Sequence, residues 1–147
     1  MAVLSGTHRY QLDQKGRISL PQRFRDVFRE GAWVTLGQDG CLAVFPAEAW
    51  ERWSGGVDDS PLADRDDRAF ARIAFGQAEP VELDSQGRMV IPQRLRREVG
   101  IGREAVIVGV RNRMEIWDGE EWDRYLERHS ANYRAGDLLP GVGRRNE

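Results

Sequence analysis

Residues 10–25 read YQLDQKGRISLPQRFR, and residues 81–96 read VELDSQGRMVIPQRLR. The two stretches align without a gap at an offset of 71 residues, and eight of their positions are identical. After one inserted residue the match resumes at an offset of 72 and extends to Trp50 and Trp122. Self-similarity of this length indicates two copies of one supersecondary unit, and we expect a pseudo-twofold axis to relate them.

Each copy is predicted to fold as β-β-α-β-β-α, which makes the chain an α+β protein. Ile18 and Leu20 alternate with polar neighbours, as in a short strand with one buried face. Pro21 then suits the first position of a helix, and Gly31 suits its end. The expected strands cover residues 10–12, 17–20, 33–36, 41–45, 105–110 and 114–117, and the expected helices begin at Pro21, Pro46, Pro92 and after Asp118, which forms a capping box with Glu121.

A short turn separates the first two strands of each copy. An aspartate at the start of such a turn can accept hydrogen bonds from backbone N–H groups. A glycine near its end can adopt the positive φ that a tight return requires. We therefore interpret the pattern shared by the two copies as turn-capping rather than as a set of ligands or catalytic groups. The turn-capping residues are Asp13, Gly16, Asp84 and Gly87.

The repeat divides the chain into four segments. Residues 1–55 are the first half-repeat, 56–80 a linker helix, 81–128 the second half-repeat and 129–147 a mobile tail. The linker helix is expected to start at Ser60-Pro61 and to pack its apolar residues on the body. The glycines and the proline of the last residues favour a mobile tail.

Charge is strongly segregated along the chain, although the net charge is only −2. Residues 8–29 carry a balance of +4, residues 81–103 a balance of +2, and residues 30–67 a balance of −7. Local fields decide what a surface attracts, so two basic segments on an acidic body can form a site for a polyanion.

Length and composition exclude several classes of protein. The 147 residues, 40% of them hydrophobic, suit one domain or two half-domains sharing a core. No stretch approaches the roughly 20 apolar residues of a membrane span, and no signal peptide is visible. Cys41 is the only cysteine, and only His8 and His129 accompany it, so neither a disulfide nor a Cys/His zinc site is expected. We expect no cofactor, no metal and no small-molecule substrate.

The two D-x-x-G-R turns, each followed after three residues by P-Q-R-[FL]-R, resemble the swapped-hairpin family of transition-state regulators and antitoxin DNA-binding domains. Over residues 6–125 the full pattern is closer to the bacterial MraZ family, which carries two such half-repeats in one chain. Further stretches that carry this resemblance are DGCL at 39–42, RAFAR at 68–72, VGV at 108–110 and EIW at 115–117.

This resemblance implies a fold and a function. The fold would be two tandem AbrB-like swapped-hairpin half-repeats that form a double-split β-barrel with pseudo-twofold symmetry. The function would be sequence-specific DNA binding by a transcriptional regulator, in the cytoplasm and associated with the nucleoid. It would act on short direct repeats in its own promoter region, upstream of the division and cell-wall genes. The resemblance also implies a ring-shaped homo-oligomer.

The residues themselves point in the same direction. A basic hairpin tip can enter a groove of double-stranded DNA, where Lys15 and Arg17 would meet phosphates or base edges. Arg23 and Arg94 lie in the first turn of predicted helices, where backbone N–H groups favour a phosphate. The candidate DNA-binding residues are Lys15, Arg17, Arg23, Arg88, Arg94, Arg9 and Arg25.

Other interpretations of these residues remain open at the level of sequence. Arg17 can pair with Asp13 and brace the turn, and this role can coexist with DNA binding. Four arginines can belong to a solvated helix face, and the five tryptophans fit core and subunit contacts better than base stacking. These four arginines are Arg25, Arg29, Arg96 and Arg97.

Two other classes of function compete with DNA binding. An enzyme could use Asp13 and Asp84 as a carboxylate pair, but no duplicated histidine, paired nucleophile or phosphate loop accompanies them, so we predict that the chain is not an enzyme. An antitoxin-like protein-interaction module of the same fold is the main alternative. RNA binding is disfavoured because the aromatic strand pattern of common RNA modules is missing.

Overall fold

Short strands and helices follow one another in two matching series in the computed structural model, which describes residues 3–58 and 64–141. The first series is β1 (Thr7–Gln11), β2 (Arg17–Ser19), α1 (Gln22–Arg25), β3 (Ala32–Leu36), β4 (Leu42–Pro46) and α2 (Ala47–Asp58), and α3 (Arg65–Gly76) connects it to the second. The second series is β5 (Glu79–Val81), β6 (Arg88–Val90), α4 (Gln93–Val99), β7 (Glu104–Gly109), β8 (Met114–Asp118) and α5 (Gly119–Arg134).

The strands form a six-stranded antiparallel sheet in the order β1-β7-β8-β4-β3-β5 and a separate two-stranded ladder of β2 with β6. Strands β1–β4 correspond to β5–β8 in the other half. When each strand is exchanged for its counterpart, the order becomes β5-β3-β4-β8-β7-β1, which is the same order read backwards. The first strand of each half therefore pairs with the hairpin of the other half, β1 with β7 and β5 with β3. The predicted α+β fold of two tandem swapped half-repeats is confirmed.

Two ladders join equivalent positions of the halves. In the β2–β6 ladder Ile18 faces Met89, its counterpart in the repeat. In the β4–β8 ladder Ala43 faces Glu115, again a pair of counterparts. Each of these ladders thus maps onto itself when the halves are exchanged, which is the pattern a pseudo-twofold axis through both ladders produces.

One hydrophobic core serves both halves, because its buried side chains come from both copies of the repeat. Alternation along the short strands and the apolar face of α1 and α4 turn these side chains inward. Burying a side chain of this size contributes about 1.5–3 kcal/mol. Three pairs of counterparts, each side chain at most 1% exposed, are Ile18 with Met89, Leu20 with Ile91, and Phe24 with Leu95.

Aromatic side chains fill two further clusters under α2 and α5. Trp50 is 7% exposed and packs with Phe45, Trp53 and Phe75. Trp117 is 3% exposed and belongs to the second cluster, which also contains Cys41, Val106, Trp122 and Tyr125. Tryptophans therefore anchor both α2 and α5 to the sheet.

Some boundaries differ from the sequence-based expectation. Strand β1 begins at Thr7 rather than residue 10 because it pairs with β7 over five positions. Helix α1 has only four residues, and the chain continues to Gly31 in turns with bonds such as Gly31 N to Phe28 O (3.0 Å). Helix α3 begins after its cap Asp64; the expected start at Ser60-Pro61 lies outside the described residues.

The C-terminal helix is longer than the sequence suggested. Helix α5 continues to Arg134, so its end covers the first part of the range 129–147 that the sequence assigned to the tail. Residues 142–147 lie outside the described residues. Within 3–58 and 64–141, no helix combines the length and the apolar composition that crossing a bilayer requires.

Candidate nucleic-acid interface

Both turns of the repeat have the same hydrogen-bond geometry. Oδ1 of Asp13 accepts from the backbone N–H groups of Lys15 and Arg17, at 2.9 Å each. Gly16 donates its N–H to the carbonyl of Asp13 (3.0 Å) and adopts a φ of +76°. This left-handed conformation favours glycine because it has no Cβ. The backbone of the turn is thus fixed by Asp13 and Gly16.

The second turn repeats this arrangement with Asp84 as the acceptor. Its Oδ1 accepts from the N–H groups of Gln86 and Arg88, at 2.9 Å each. Gly87 donates to the carbonyl of Asp84 (3.0 Å) and also has a φ of +76°. The pseudo-symmetry of the fold therefore extends to single hydrogen bonds.

An arginine braces each turn through one nitrogen. Nε of Arg17 lies 2.5 Å from Oδ2 of Asp13, and Nε of Arg88 lies 2.9 Å from Oδ2 of Asp84. The backbone N–H of Arg17, and then its side chain, lowers the pKa of Asp13 below its usual value. Arg88 lowers the pKa of Asp84 in the same way. Because the brace uses Nε, it does not require the two terminal nitrogens of either guanidinium.

The β2–β6 ladder holds the two turns at a fixed separation. Leu20 donates its N–H to the carbonyl of Gly87 (3.1 Å), and Ile91 donates to the carbonyl of Gly16 (3.0 Å). Each turn is therefore tied to the other half of the chain. The turns flank a ladder of three paired residues, which spans roughly 10 Å at the usual rise of a strand.

The tips of the two turns differ in charge. Lys15 is exposed at the first tip, and Gln86 is exposed at the equivalent place of the second. In the described part of the chain, no carboxylate forms an ion pair with Lys15. The first turn thus presents one more positive charge than the second.

Two other predicted DNA-binding arginines form ion pairs within the protein. Arg9 contacts Glu104 (2.8 Å) and Asp123. Arg94 contacts Glu79 (2.8 Å) and the side-chain oxygen of Gln77. Both arginines remain exposed at the surface. They lie on the body of the protein rather than in either turn.

Arg23 connects helix α1 to the N-terminal segment. One terminal nitrogen donates to the carbonyl of Ser5 (2.6 Å) and lies 3.2 Å from Nε2 of His8. Because a guanidinium only donates, Nε2 of His8 accepts and the imidazole is neutral. Burial, followed by the charge of Arg23, lowers the pKa of His8. Helix α1 has a single turn, so Arg23 does not sit at the start of an extended helix.

Arg25, the remaining predicted DNA contact, is part-buried. Its Nε donates to the carbonyl of Leu20 (3.1 Å), and its guanidinium covers Gly87. The sequence pattern predicts its counterpart Arg96 only on a solvated helix face. Arg96 in fact lies on Gly16. The identical position of the two arginines in the repeat was a signal that both have the same role.

Fold and paired turns together define a class of protein, the tandem swapped-hairpin proteins, in which two half-repeats share one core. A family model described as "MraZ protein, putative antitoxin-like" matches residues 3–73 and 74–137. The chain belongs to the MraZ family, which confirms the resemblance seen in the sequence.

Relatives support this assignment over nearly their whole length. The chain is 41% identical to the transcriptional regulator MraZ of Saccharopolyspora erythraea, over 93% of this chain and 97% of the relative. It is 41% identical to the transcriptional regulator MraZ of Finegoldia magna, over 90% of this chain and 92% of the relative. It is 40% identical to that of Lactiplantibacillus plantarum, over 87% of this chain and 91% of the relative. The name of these relatives describes a non-enzymatic role.

Proposed function

We propose that this chain is a transcriptional regulator that binds double-stranded DNA sequence-specifically and catalyses no reaction. The observation that carries the proposal is the pair of equivalent turns on the β2–β6 ladder, each with a braced arginine. Membership of a family whose relatives are named transcriptional regulators supports it.

The turns have the chemistry that groove recognition needs. Arg17 and Arg88 use Nε for the brace, which leaves a planar fork of donors that suits phosphate oxygens and guanine edges. Lys15 adds a positive charge at one tip. The turn backbones are fixed before DNA arrives, so little conformational entropy opposes binding.

The other candidate arginines take supporting roles in this proposal. Arg9 and Arg94 are exposed and hold surface ion pairs, which are weak in water. A phosphate oxygen can replace the carboxylate partner at little cost. Arg23 is held by Ser5 and His8 and adds positive charge beside the N-terminal segment.

The DNA target and the assembly form the second part of the proposal. The target is a set of short direct repeats upstream of the protein's own gene, in the division and cell-wall cluster. A homo-oligomeric ring in the cytoplasm, associated with the nucleoid, would engage several repeats at once, and multivalency raises affinity without new contacts. Exposed apolar side chains support assembly; they include Phe70, Ile73, Leu126 and Tyr133, exposed by 38%, 54%, 47% and 72%.

Fluorescence anisotropy with the DNA upstream of the gene tests the proposal, with a scrambled duplex as the reference. Arg17→Ala is expected to abolish specific binding while leaving the thermal melt and the size of the assembly unchanged. Arg52→Ala is the matched control, because it also removes an ion-paired arginine, from α2. Retained specific binding by Arg17→Ala would show that the recognition residue has been assigned wrongly.

An antitoxin-like protein-interaction module is the second candidate, and the description of the matching family favours it. The two candidates differ in their ligand. If the chain recognises no sequence in the upstream DNA but binds a protein encoded beside it, the second candidate replaces the first.

A further inference from the structure

We infer that Arg25 and Arg96 are positioning residues, each of which fixes the recognition turn of the opposite half. The inference rests on the proposed DNA-binding function, because it concerns how the two turns acquire their shape. It makes each turn dependent on a helix from the other copy of the repeat, so that neither turn is an independent recognition element.

The contact between Arg96 and Gly16 carries the first part of the inference. Arg96 is anchored by a hydrogen bond from its Nε to the carbonyl of Ile91 (3.0 Å). Its guanidinium lies against Gly16. A Cβ built on Gly16 would lie only 2.6 Å from Cζ of Arg96 and 2.8 Å from its Nε. The positive φ favours glycine at this position, and the absence of a Cβ lets the Arg96 guanidinium approach the backbone of the turn.

The contact between Arg25 and Gly87 repeats this geometry. Nε of Arg25 donates to the carbonyl of Leu20, the counterpart of Ile91, at 3.1 Å. A Cβ on Gly87 would lie 2.7 Å from both Cδ and Cζ of Arg25. In both halves an arginine whose Nε is anchored on an equivalent carbonyl lies against the glycine of the opposite turn. This recurrence indicates a shared role rather than a chance approach of two long side chains.

Each turn is thus supported from two sides. For the first turn, Asp13 and Arg17 supply the support within the half-repeat. Arg96 supplies it from helix α4 of the second half, some 80 residues away in sequence. Loss of Arg96 leaves space above Gly16, and the turn that carries Lys15 and Arg17 can then leave its recognition geometry. The effect on DNA binding should pass through the first turn alone.

A double-mutant cycle on DNA binding tests this crossed dependence. Arg96→Ala should couple with Lys15→Ala, because both act through the first turn and binding stays measurable, and should be additive with Arg88→Ala. Coupled substitutions typically deviate from additivity by 0.5–3 kcal/mol, which corresponds to about 2- to 150-fold in the dissociation constant. Arg25→Ala should show the reverse pattern and couple with Arg88→Ala.

Amide hydrogen exchange measured by NMR without DNA provides a readout that does not depend on the proposed function. Arg96→Ala should speed exchange of the Lys15 and Arg17 amides, which donate to Asp13, and leave the Gln86 and Arg88 amides unchanged. Arg97→Ala is the matched control, since it removes an exposed arginine from the same helix. This variant should change the exchange rates of neither pair of turn amides.

The outcomes separate this inference from the proposed function. The variants can show the crossed exchange effects while the wild-type protein binds no DNA. That result would support the turn contacts and overturn the proposed DNA binding. Coupling of Arg96→Ala with Arg88→Ala, or equal effects on both turns, would overturn the inference and indicate direct contact with DNA or a general structural role. If Arg96→Ala unfolds the chain, Arg96→Lys keeps the charge but lacks Nε, and the same crossed pattern is expected.

Discussion

Asp13 and Asp84 are the residues on which both turns depend, and the lowered pKa of each makes stability depend on pH. In the unfolded chain an aspartate takes up its proton near pH 3.9. In the folded chain the hydrogen bonds from Arg17 and Arg88 hold the pKa of the two carboxyls lower. The unfolded state therefore binds more protons as the pH falls, and the free energy of unfolding decreases from about pH 5 downward, through the folded pKa values.

Replacing both carboxyls tests this prediction. Asp13→Asn with Asp84→Asn keeps an oxygen that can accept the turn N–H groups but removes the titration. Thermal melts from pH 6 to pH 3 should show a smaller loss of stability in the double variant than in the wild type. Asp137→Asn, in the exposed segment after α5, is the control. Parallel curves for wild type and double variant would contradict the prediction.

His8 gives a second dependence on pH, at higher pH values. Its pKa is lowered by burial and by Arg23, so the imidazole is neutral where it accepts from Arg23. Because an unfolded histidine protonates near pH 6.5, stability should fall as the pH drops from about 7.5 through the folded pKa. NMR titration should place the pKa of His8 below 6.5, and Arg23→Ala should raise it. An unchanged pKa in that variant would show that Arg23 exerts no influence on the imidazole.

At the scale of elements, the two hairpin turns are expected to contribute unequally to DNA binding. Arg17→Ala should weaken binding more than Arg88→Ala, because the first basic segment has a balance of +4 and the second only +2. The slope of log K against log salt is negative, and Lys15→Gln should make it shallower by about 0.9, the value for one phosphate contact. Gln86→Lys should make the slope steeper by a similar amount. Equal losses of DNA affinity in the two arginine variants would show that the difference in charge does not determine which turn contributes more to binding.

Helix caps give a prediction about stability. Asp64 accepts from the N–H groups of Asp66 (2.7 Å) and Asp67 (3.3 Å) at the start of α3. Asp118 accepts from Glu121 at the start of α5 and also from Gly102 (3.0 Å), just before β7. Loss of a cap costs about 0.5–2 kcal/mol, so both alanine variants should be destabilised.

Asp118→Ala should lower the free energy of unfolding more than Asp64→Ala, because it also leaves the Gly102 N–H without its acceptor. Urea unfolding of the two variants measures the difference. Asp118→Asn is the control that keeps an acceptor oxygen, and it should recover much of the lost stability. A larger loss for Asp64→Ala would show that the link to Gly102 adds nothing.

The same elements show what sequence can predict. The turns with Asp13 and Asp84 and the cap Asp118 were predictable because the interacting groups lie within four residues of one another. Local chemistry did not predict the pairing of β1 with β7, because Thr7 and its partner Val108 are about 100 residues apart. Only the resemblance to the swapped-hairpin family implied an exchange of strands. The contact of Arg96 with Gly16 depends on the same long-range exchange of strands. Local sequence chemistry therefore predicted the turns but not their crossed support.

At the scale of the whole molecule, one shared core joins the two half-repeats. Ile18 and Met89, each fully buried, face each other across the β2–β6 ladder. A change on either side of this pair therefore removes packing from both halves. The two turns that are proposed to bind DNA flank the same ladder, so the geometry of the proposed interface and the stability of the core depend on the same strands.

The halves nevertheless differ in how their outer helices are covered. Helix α3 places Phe70 and Phe75 against Trp53 of α2. In the described residues after α5, no helix corresponds to α3, and Leu126 and Tyr133 of α5 are 47% and 72% exposed. Apolar side chains on two different helices suit a heterologous contact between copies, and such contacts close into rings when the rotation permits.

The last prediction is therefore that the chain assembles in solution. Light scattering coupled to size exclusion should give a mass that is a multiple of 16.8 kDa, and the multiple should stay constant as the protein is diluted through the micromolar range. A closed ring has no free interfaces, so it should not grow into longer species at high concentration, as an open filament would. A mass near that of one chain at all concentrations would contradict assembly. A mass that rises steadily with concentration would contradict closure.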